Sequence, residues 1–222
     1  MILEGVERLL TFAPHPLSPL LLHAQLGQGA EVFAGRLDDP ALSGLAALAP
    51  NGRDLAQAAG HADPARFLQR RAVTRSLLAR RLKCDAASVE IGHDARGAPQ
   101  LQSHAAPALF LSLSARKNLF ALAFAPHRIG VDLEPVEQTF EPPWNMLGLT
   151  DRANLAALAD PARHLEFLQI WTLREALLKA LGVGFLVNEA ACAGINCRKW
   201  AAHVVAKPHE IILACVELPV EQ

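Results

Sequence analysis

Two acidic residues separated by one residue are the first feature of this sequence that could do chemistry. Asp132 and Glu134 lie in the stretch 129–135, which is otherwise apolar. This composition predicts a strand, and alternate side chains of a strand project to the same face. Two carboxylates side by side repel each other unless a cation or a proton lies between them. The pair is therefore either a solvated strand face or part of a cation site.

A second ionisable pair lies in a predicted amphipathic helix. Glu175 follows Asp132 by 43 residues and Lys179 comes four residues later, so the two share one helical face. They can form an ordinary surface ion pair, worth a few tenths of a kcal/mol. They can also supply a third carboxylate for a hard metal ion and a lysine that meets a phosphate. Three carboxylates with positions open to water suit Mg²⁺, with Mn²⁺ as the alternative ion.

The two groups together resemble the paired signature of the 4′-phosphopantetheinyl transferase superfamily. The similarity extends over about residues 66–185, and the chain's length and repeated halves resemble the Sfp-like monomeric branch. The resemblance implies a transferase that moves 4′-phosphopantetheine from coenzyme A to a serine of an acyl or peptidyl carrier protein. Such an enzyme, of the holo-acyl-carrier-protein synthase type, releases 3′,5′-ADP and depends on Mg²⁺. The matching residues are Gly130-Val131-Asp132-Leu133-Glu134, Trp171-Thr172, Glu175-Ala176 and Lys179.

The resemblance also implies catalytic roles. Asp132, Glu134 and Glu175 would hold Mg²⁺ against the pyrophosphate of coenzyme A. Glu175 would also take the proton of the attacking serine, directly or through water. Lys179 would contact a phosphate and assist the leaving group.

Of the other positions that contact coenzyme A in the family, some match in this sequence and some do not. Arg71 would help to hold the adenosine end with its 3′-phosphate, although a solvated basic helix face is the alternative. Ser114 falls where the family has a serine near the phosphates. Ala98 and Ala115 depart from the family, which usually has a basic residue and a phosphate-binding histidine at these positions. We hypothesise that Arg116 contacts the phosphate that the histidine binds in the family. This requires the strand to have ended or bulged by Ser114, and the alternative is an exposed Arg116 in a turn.

The elements that must position these residues show an internal repeat. Residues 63–69 are echoed by 160–169, both with Asp-Pro helix starts, and Leu77-Leu78 returns as Leu177-Leu178. Chance similarity between two helices rich in alanine, leucine and arginine is the alternative. Strands are predicted at 109–114, 119–125, 128–134, 203–206 and 211–216.

These elements predict an α+β fold of two similar halves related by a pseudo-two-fold axis. The first half, residues 1–115, would form the coenzyme A adenosine and phosphate side. The second half, residues 116–222, would carry the metal-binding carboxylates. A cleft between two such halves is a natural ligand site.

Composition excludes several classes of protein. Of 222 residues, 51 % are hydrophobic and 19 % charged, which supports a packed core rather than disorder. A net charge of −1 argues against a general nucleic-acid binder. The four cysteines form no zinc pattern, and Leu20-Leu21-Leu22 is too short to span a membrane. A cytoplasmic monomer without a membrane segment is predicted.

Two other functions stay open at this stage. One is a non-catalytic relative that binds coenzyme A or a carrier protein, against which the three mutually repelling carboxylates argue. The other is an unrelated Mg²⁺ phosphohydrolase built on the same carboxylates, which would turn over coenzyme A without a protein acceptor.

Overall fold

Two β-sheets and two long helices carry the predicted site residues. The computed structural model describes residues 6–47, 52–102, 109–137, 144–183, 195–206 and 209–218. The strands in these ranges are β1 Val6–Leu9, β2 Ala13–His15, β3 Ser18–Gln25, β4 Glu31–Arg36, β5 Ile91–His93, β6 Pro99–Leu101, β7 Phe110–Arg116, β8 Leu119–Ala125, β9 Ile129–Pro135, β10 Arg198–Ala206 and β11 His209–Glu217. The α-helices are α1 Pro40–Ser43, α2 Gly52–Ala58, α3 Pro64–Leu82, α4 Leu149–Ala156 and α5 Asp160–Leu181.

The strands form a four-stranded and a seven-stranded sheet. The smaller has the order β1-β10-β11-β9, in which β1 and β10 are parallel and the other pairs antiparallel. The larger has the order β2-β3-β4-β8-β7-β6-β5 and is antiparallel throughout. This mixture of helices and sheets confirms the predicted α+β class, while the pseudo-two-fold relation stays a prediction.

The predicted strands agree closely with the observed ones in the middle of the chain. Strand β8 has the predicted bounds, and β7 and β9 are shifted or extended by one or two residues. The last hairpin is longer than predicted, since its ladder runs from Arg198 opposite Glu217 to Ala206 opposite His209. Charged residues at its open end hid these pairs from a pattern based on apolar alternation. Residues 207 and 208 of the predicted turn lie outside the described residues.

Each long helix covers the outer face of one sheet, and the two sheets face each other. Small inward residues of the larger sheet, such as Ala121 and Ala123, lie in one apolar cluster with Val131 and Leu133 of β9. Larger neighbours of the larger sheet turn outward and pack on α3: Phe33, Phe120, Leu122 and Phe124. Helix α5 packs on β11 through residues that include Leu173 and Leu177. Alternation along the strands thus sorts small residues inward and large ones outward.

The predicted Asp-Pro helix starts hold for α3 and shift slightly for α5. Asp63 caps α3 by accepting a hydrogen bond from the Arg66 backbone N–H at 2.9 Å. Helix α5 begins at Asp160 itself, with Ala159 as its cap. The predicted boundary between residues 115 and 116 falls within β7, and the division into two halves stays a prediction.

Gly130 allows an unusually close contact between α5 and β9. A Cβ atom at this position would lie 1.9 Å from the Ala176 carbonyl oxygen. No side chain fits in that space, so the helix backbone rests directly on the strand. This contact brings the helix residues beside Ala176 over the carboxylates of β9.

No helix in the described ranges is both long and apolar enough to cross a membrane. Cys84, Cys197 and Cys215 form no disulfide bond within the described residues, and Cys192 lies outside them.

Candidate active site

The site is built where β9 passes along β7, and side chains rather than a backbone ladder join these two strands. Ser112 Oγ accepts a hydrogen bond from Val131 N–H at 2.9 Å, and Ser114 Oγ accepts one from Leu133 N–H at 3.4 Å. The two serines share a face of β7 because alternate residues of a strand project together. The seam is therefore polar on the side that faces β9.

Three carboxylates meet at this seam. Asp132 and Glu134 come from β9 and Glu175 from α5, and one oxygen of each lies within 4.8 Å of the others. All three residues are buried, with exposed fractions of 0 %, 2 % and 4 %. The solvated strand face that Asp132 and Glu134 could have formed is thus excluded. Buried carboxylates at this separation require positive charge or protons between them.

Asp132 is held through one of its two oxygens. Its Oδ1 accepts hydrogen bonds from Ser114 Oγ and Lys179 Nζ, both at 2.7 Å. Its Oδ2 is buried and has no hydrogen-bond partner among the described residues. A buried carboxylate oxygen without a partner carries a large desolvation cost. Asp132 therefore offers a fixed, open ligand atom.

Lys179 forms its ion pair with Asp132 of β9 and not with Glu175, which lies one helical turn before it. Its ammonium binds Asp132 at 2.7 Å, so the ordinary surface pair with Glu175, the alternative that the spacing allowed, is not formed. It also donates to the carbonyl oxygens of Val131 at 3.1 Å and Leu113 at 3.4 Å, so that it bridges β9 and β7. Since its side chain is 30 % exposed, it also reaches the solvent-facing side of the site.

Arg116 faces the carboxylates, not the side on which Ala115 lies. Its Nη2 and Nε donate to the two oxygens of Glu134 at 2.6 and 3.1 Å, and Nη2 lies 3.9 Å from Glu175 Oε2. Strand β7 stays in register with β8 through Arg116, so the strand has neither ended nor bulged by Ser114. Ala115 packs on the opposite, apolar side. That Arg116 contacts a phosphate stays a prediction.

Burial raises the pKa of two acids of this site, Glu134 and Glu175. Burial and, next to it, the charge of Asp132 raise the pKa of Glu175 to about 7. Burial also raises the pKa of Glu134, although the hydrogen bond from Arg116 opposes the shift. A carboxylate that titrates near neutral pH is suited to accept and release a proton.

Arg71 belongs to a second charged cluster under α3. Its Nη2 donates to Gln57 Oε1 at 2.9 Å and lies 3.1 Å from His93 Nε2, and its Nε lies 3.8 Å from Asp54 Oδ1. Arg75 bonds the same aspartate. Both arginines are buried, so a solvated basic face is excluded for them. Sequence reasoning missed these partners because no local pattern joins α2 and β5 to α3.

A cavity of about 340 Å³ opens beside the end of α5. Its wall includes Ala98, Phe110, Arg128 and Lys179. The guanidinium of Arg128 lies 5.9 Å from the centre of the Phe110 ring. Arg128 thus brings a cation to the wall that contains Ala98, where the family usually has a basic residue. The sequence showed this arginine only as the residue before β9.

Comparison with known proteins agrees with this geometry. Residues 128–207 match the family model of the 4′-phosphopantetheinyl transferase superfamily. The matched range contains all three carboxylates and Lys179.

A curated relative points the same way. The chain is 33 % identical over 131 residues to the Synechocystis sp. protein named putative 4′-phosphopantetheinyl transferase slr0495. The alignment covers 55 % of this chain and 51 % of the relative, so the chain spans about half the length of that protein. In both matches, and in the signature that the site contains, the chain is similar to members of the 4′-phosphopantetheinyl transferase superfamily.

Proposed function

We propose that this chain is a Mg²⁺-dependent enzyme that transfers 4′-phosphopantetheine from coenzyme A to a serine of an acyl or peptidyl carrier protein. The observation that carries the proposal is the buried group of three carboxylates with the open Asp132 Oδ2. We assign the chain to the Sfp-like, monomeric, cytoplasmic enzymes of the holo-acyl-carrier-protein synthase type. The superfamily match supports the reaction class.

The residues present fit a divalent cation. Three carboxylates face two cationic side chains, Arg116 and Lys179, so one carboxylate is in surplus. Carboxylate oxygens are the hard ligands that Mg²⁺ and Mn²⁺ prefer. Asp132, Glu134 and Glu175 would hold the ion, which when bound would neutralise charge on the reacting phosphate.

Glu175 is the proposed general base. With a pKa raised to about 7 by burial and by Asp132, its carboxylate can take a proton at neutral pH. The serine oxygen of the carrier protein then forms a bond to the phosphorus that bears pantetheine. The bond from that phosphorus to the bridging oxygen breaks, and 3′,5′-ADP leaves with the electron pair. The ammonium of Lys179 would stabilise the charge that develops on the leaving phosphate.

Coenzyme A would extend from the carboxylates towards the two basic regions. The cavity beside α5 offers the cations of Lys179 and Arg128 with the apolar face of Phe110, a combination suited to an anionic ligand with an aromatic base. Arg71 would contact the 3′-phosphate of the adenosine end. Ser114 would act near the phosphates, and its bond to Asp132 also fixes that carboxylate.

One assay tests the proposal against its alternatives. The protein is incubated with coenzyme A, Mg²⁺ and an apo carrier protein, and the intact carrier is weighed by mass spectrometry. A gain of one phosphopantetheine, lost when the acceptor serine is replaced by alanine, supports transfer. Release of 3′,5′-ADP without a gain in carrier mass would instead show a hydrolase, and coenzyme A binding without either product would show a non-catalytic binder.

A further inference from the structure

The guanidinium of Arg116 lies across one side of the carboxylate group. It binds both oxygens of Glu134 as a fork and approaches Glu175 Oε2 to 3.9 Å. Arg116 thus contacts Glu134 and lies near Glu175, two of the three carboxylates that a metal ion would share. Like charges at such separations repel strongly, so the arginine and a divalent ion oppose each other there.

The two cations of the site are not held equally. Lys179 Nζ has three oxygen partners, on Asp132, Val131 and Leu113, which tie it to both strands. Arg116 is the last residue of β7, and its side chain is 35 % exposed. Besides Glu134, its guanidinium has a bond of 3.4 Å to the Ala115 carbonyl oxygen. The two short bonds of the arginine both go to the Glu134 side chain, whereas the lysine is also held by the backbone carbonyl groups of two strands. Loss of Glu134 as a partner would therefore release the arginine but leave the lysine in place.

We propose that Arg116 is a displaceable internal cation, which a divalent metal ion must remove from Glu134 in order to bind. This inference rests on the proposed metal site and concerns how tightly that site holds its ion. The arginine stabilises the carboxylate group when no ion is bound and lowers the affinity for the ion. Once released, its guanidinium is free to meet a phosphate of the substrate.

Direct Mn²⁺ binding tests the proposal without any catalytic readout. Free Mn²⁺ is measured by electron paramagnetic resonance during titration of the wild-type protein, Arg116→Gln and Arg116→Lys. Arg116→Gln should bind Mn²⁺ about ten-fold more tightly or better, the scale on which one neighbouring charge alters a carboxylate. Arg116→Lys should fall between the two, because it keeps the charge and loses the fork. Equal or weaker binding by Arg116→Gln, with wild-type binding intact, overturns the proposal.

One control variant and one outcome separate this inference from the proposed function. Arg66→Gln removes the same charge from a surface pair with Asp63 on the first turn of α3 and should leave the Mn²⁺ affinity unchanged. Absence of Mn²⁺ binding by both wild type and Arg116→Gln would reject the metal site and the inference together.

A second measurement observes the arginine itself. The Nε–H resonance of Arg116, identified by its loss in Arg116→Lys, should shift when Mg²⁺ is added to the ¹⁵N-labelled wild-type protein. A resonance that stays unchanged at saturating Mg²⁺ would overturn the displacement even if affinities differ. This readout also protects the test against a variant that binds poorly because it is partly unfolded.

Discussion

The two long helices each lie beside a buried charge cluster, and the two clusters have opposite surpluses. Under α3, Arg71 and Arg75 share the single carboxylate of Asp54. At α5, the cations that contact the carboxylates of Asp132, Glu134 and Glu175 within the described residues are Arg116 and Lys179. One cluster thus has a spare cation and the other a spare carboxylate.

The comparison shows how similar helices can serve opposite chemistry. Burial lowers the pKa of Arg71 and raises that of Glu175, so each surplus charge is destabilised in the folded protein. A surplus cation calls for an anion and a surplus carboxylate calls for a cation. The ligand that satisfies both would carry a phosphate at one end and a metal-bound pyrophosphate at the other, as the proposed substrate does.

The largest effect should follow from removing the open ligand at the α5 cluster. Asp132→Ala should reduce transfer by on the order of 10³-fold or more, because the metal ion loses its fixed ligand and Lys179 its partner. The fold should persist, since loss of one of three neighbouring carboxylates also relieves repulsion. Rates come from the carrier mass assay at saturating coenzyme A.

A matched control removes a carboxylate from α5, the helix that packs on β9, without touching the cluster. Asp160→Ala deletes an acid in the first turn of α5 whose side chain is 89 % exposed, and it should transfer normally. Near-normal rates for Asp132→Ala would remove the basis of the proposed site.

Lys179 tests whether the cations of this cluster take part in chemistry. Lys179→Ala should slow single-turnover transfer by about 10²-fold, because the leaving phosphate loses its cation. Stability should fall by about 1–2 kcal/mol, because Asp132 loses a buried charged partner. Single-turnover rates are compared with thermal midpoints. A loss of stability with unchanged rates would reduce the lysine to a structural bridge between β7 and β9.

The α3 cluster should respond to a different part of the substrate. Arg71→Gln should weaken coenzyme A binding by about 10- to 100-fold, the range of one lost charge-assisted hydrogen bond. Binding of dephospho-coenzyme A, which lacks the 3′-phosphate, should change little. Calorimetry measures both ligands, with Arg80→Gln as control because Arg80 is exposed on the same helix. Equal losses for both ligands would assign Arg71 to folding rather than to phosphate recognition.

The smallest effect should be a pH dependence of stability from Glu175. Its pKa of about 7 lies above the ordinary value of 4.5, so the folded protein keeps a proton that the unfolded chain has released between these pH values. The free energy of unfolding therefore falls as pH rises through this window. In Glu175→Gln, the decrease of Tm across this pH window should be smaller than in the wild type by roughly 2–4 °C, after allowance for solvent screening.

The measurement is a set of thermal scans in a metal chelator between about pH 4.5 and pH 8. Parallel Tm profiles for wild type and Glu175→Gln would contradict the perturbed carboxyl group.

The sequence predicted what local patterns determine. Alternation and apolar runs located β8 and placed Asp132 and Glu134 on one face, and the signature brought Glu175 to them. The surface ion pair of Lys179 with Glu175 was only an alternative, and the i, i+4 rule behind it considers the helix alone, whereas the buried Asp132 on β9 binds the ammonium. The contact of Lys179 with a phosphate stays a prediction. The links from Arg71 to His93 and from Arg116 to Glu134 join distant segments, so no local pattern could show them.

The seam between β7 and β9 has a consequence for how the molecule opens. Within the described residues, β6 pairs with β7 only at Phe110, and β9 meets the rest of that strand through the hydroxyls of Ser112 and Ser114. Side-chain bonds of this kind exchange more readily than a continuous backbone ladder, so the two sheets can separate locally while each remains folded. Such a breathing motion would take Ser114 and Arg116 away from Asp132 and Glu134, while the three carboxylates stay together on β9 and α5. The support of the carboxylates is therefore more fragile than the packing of either sheet.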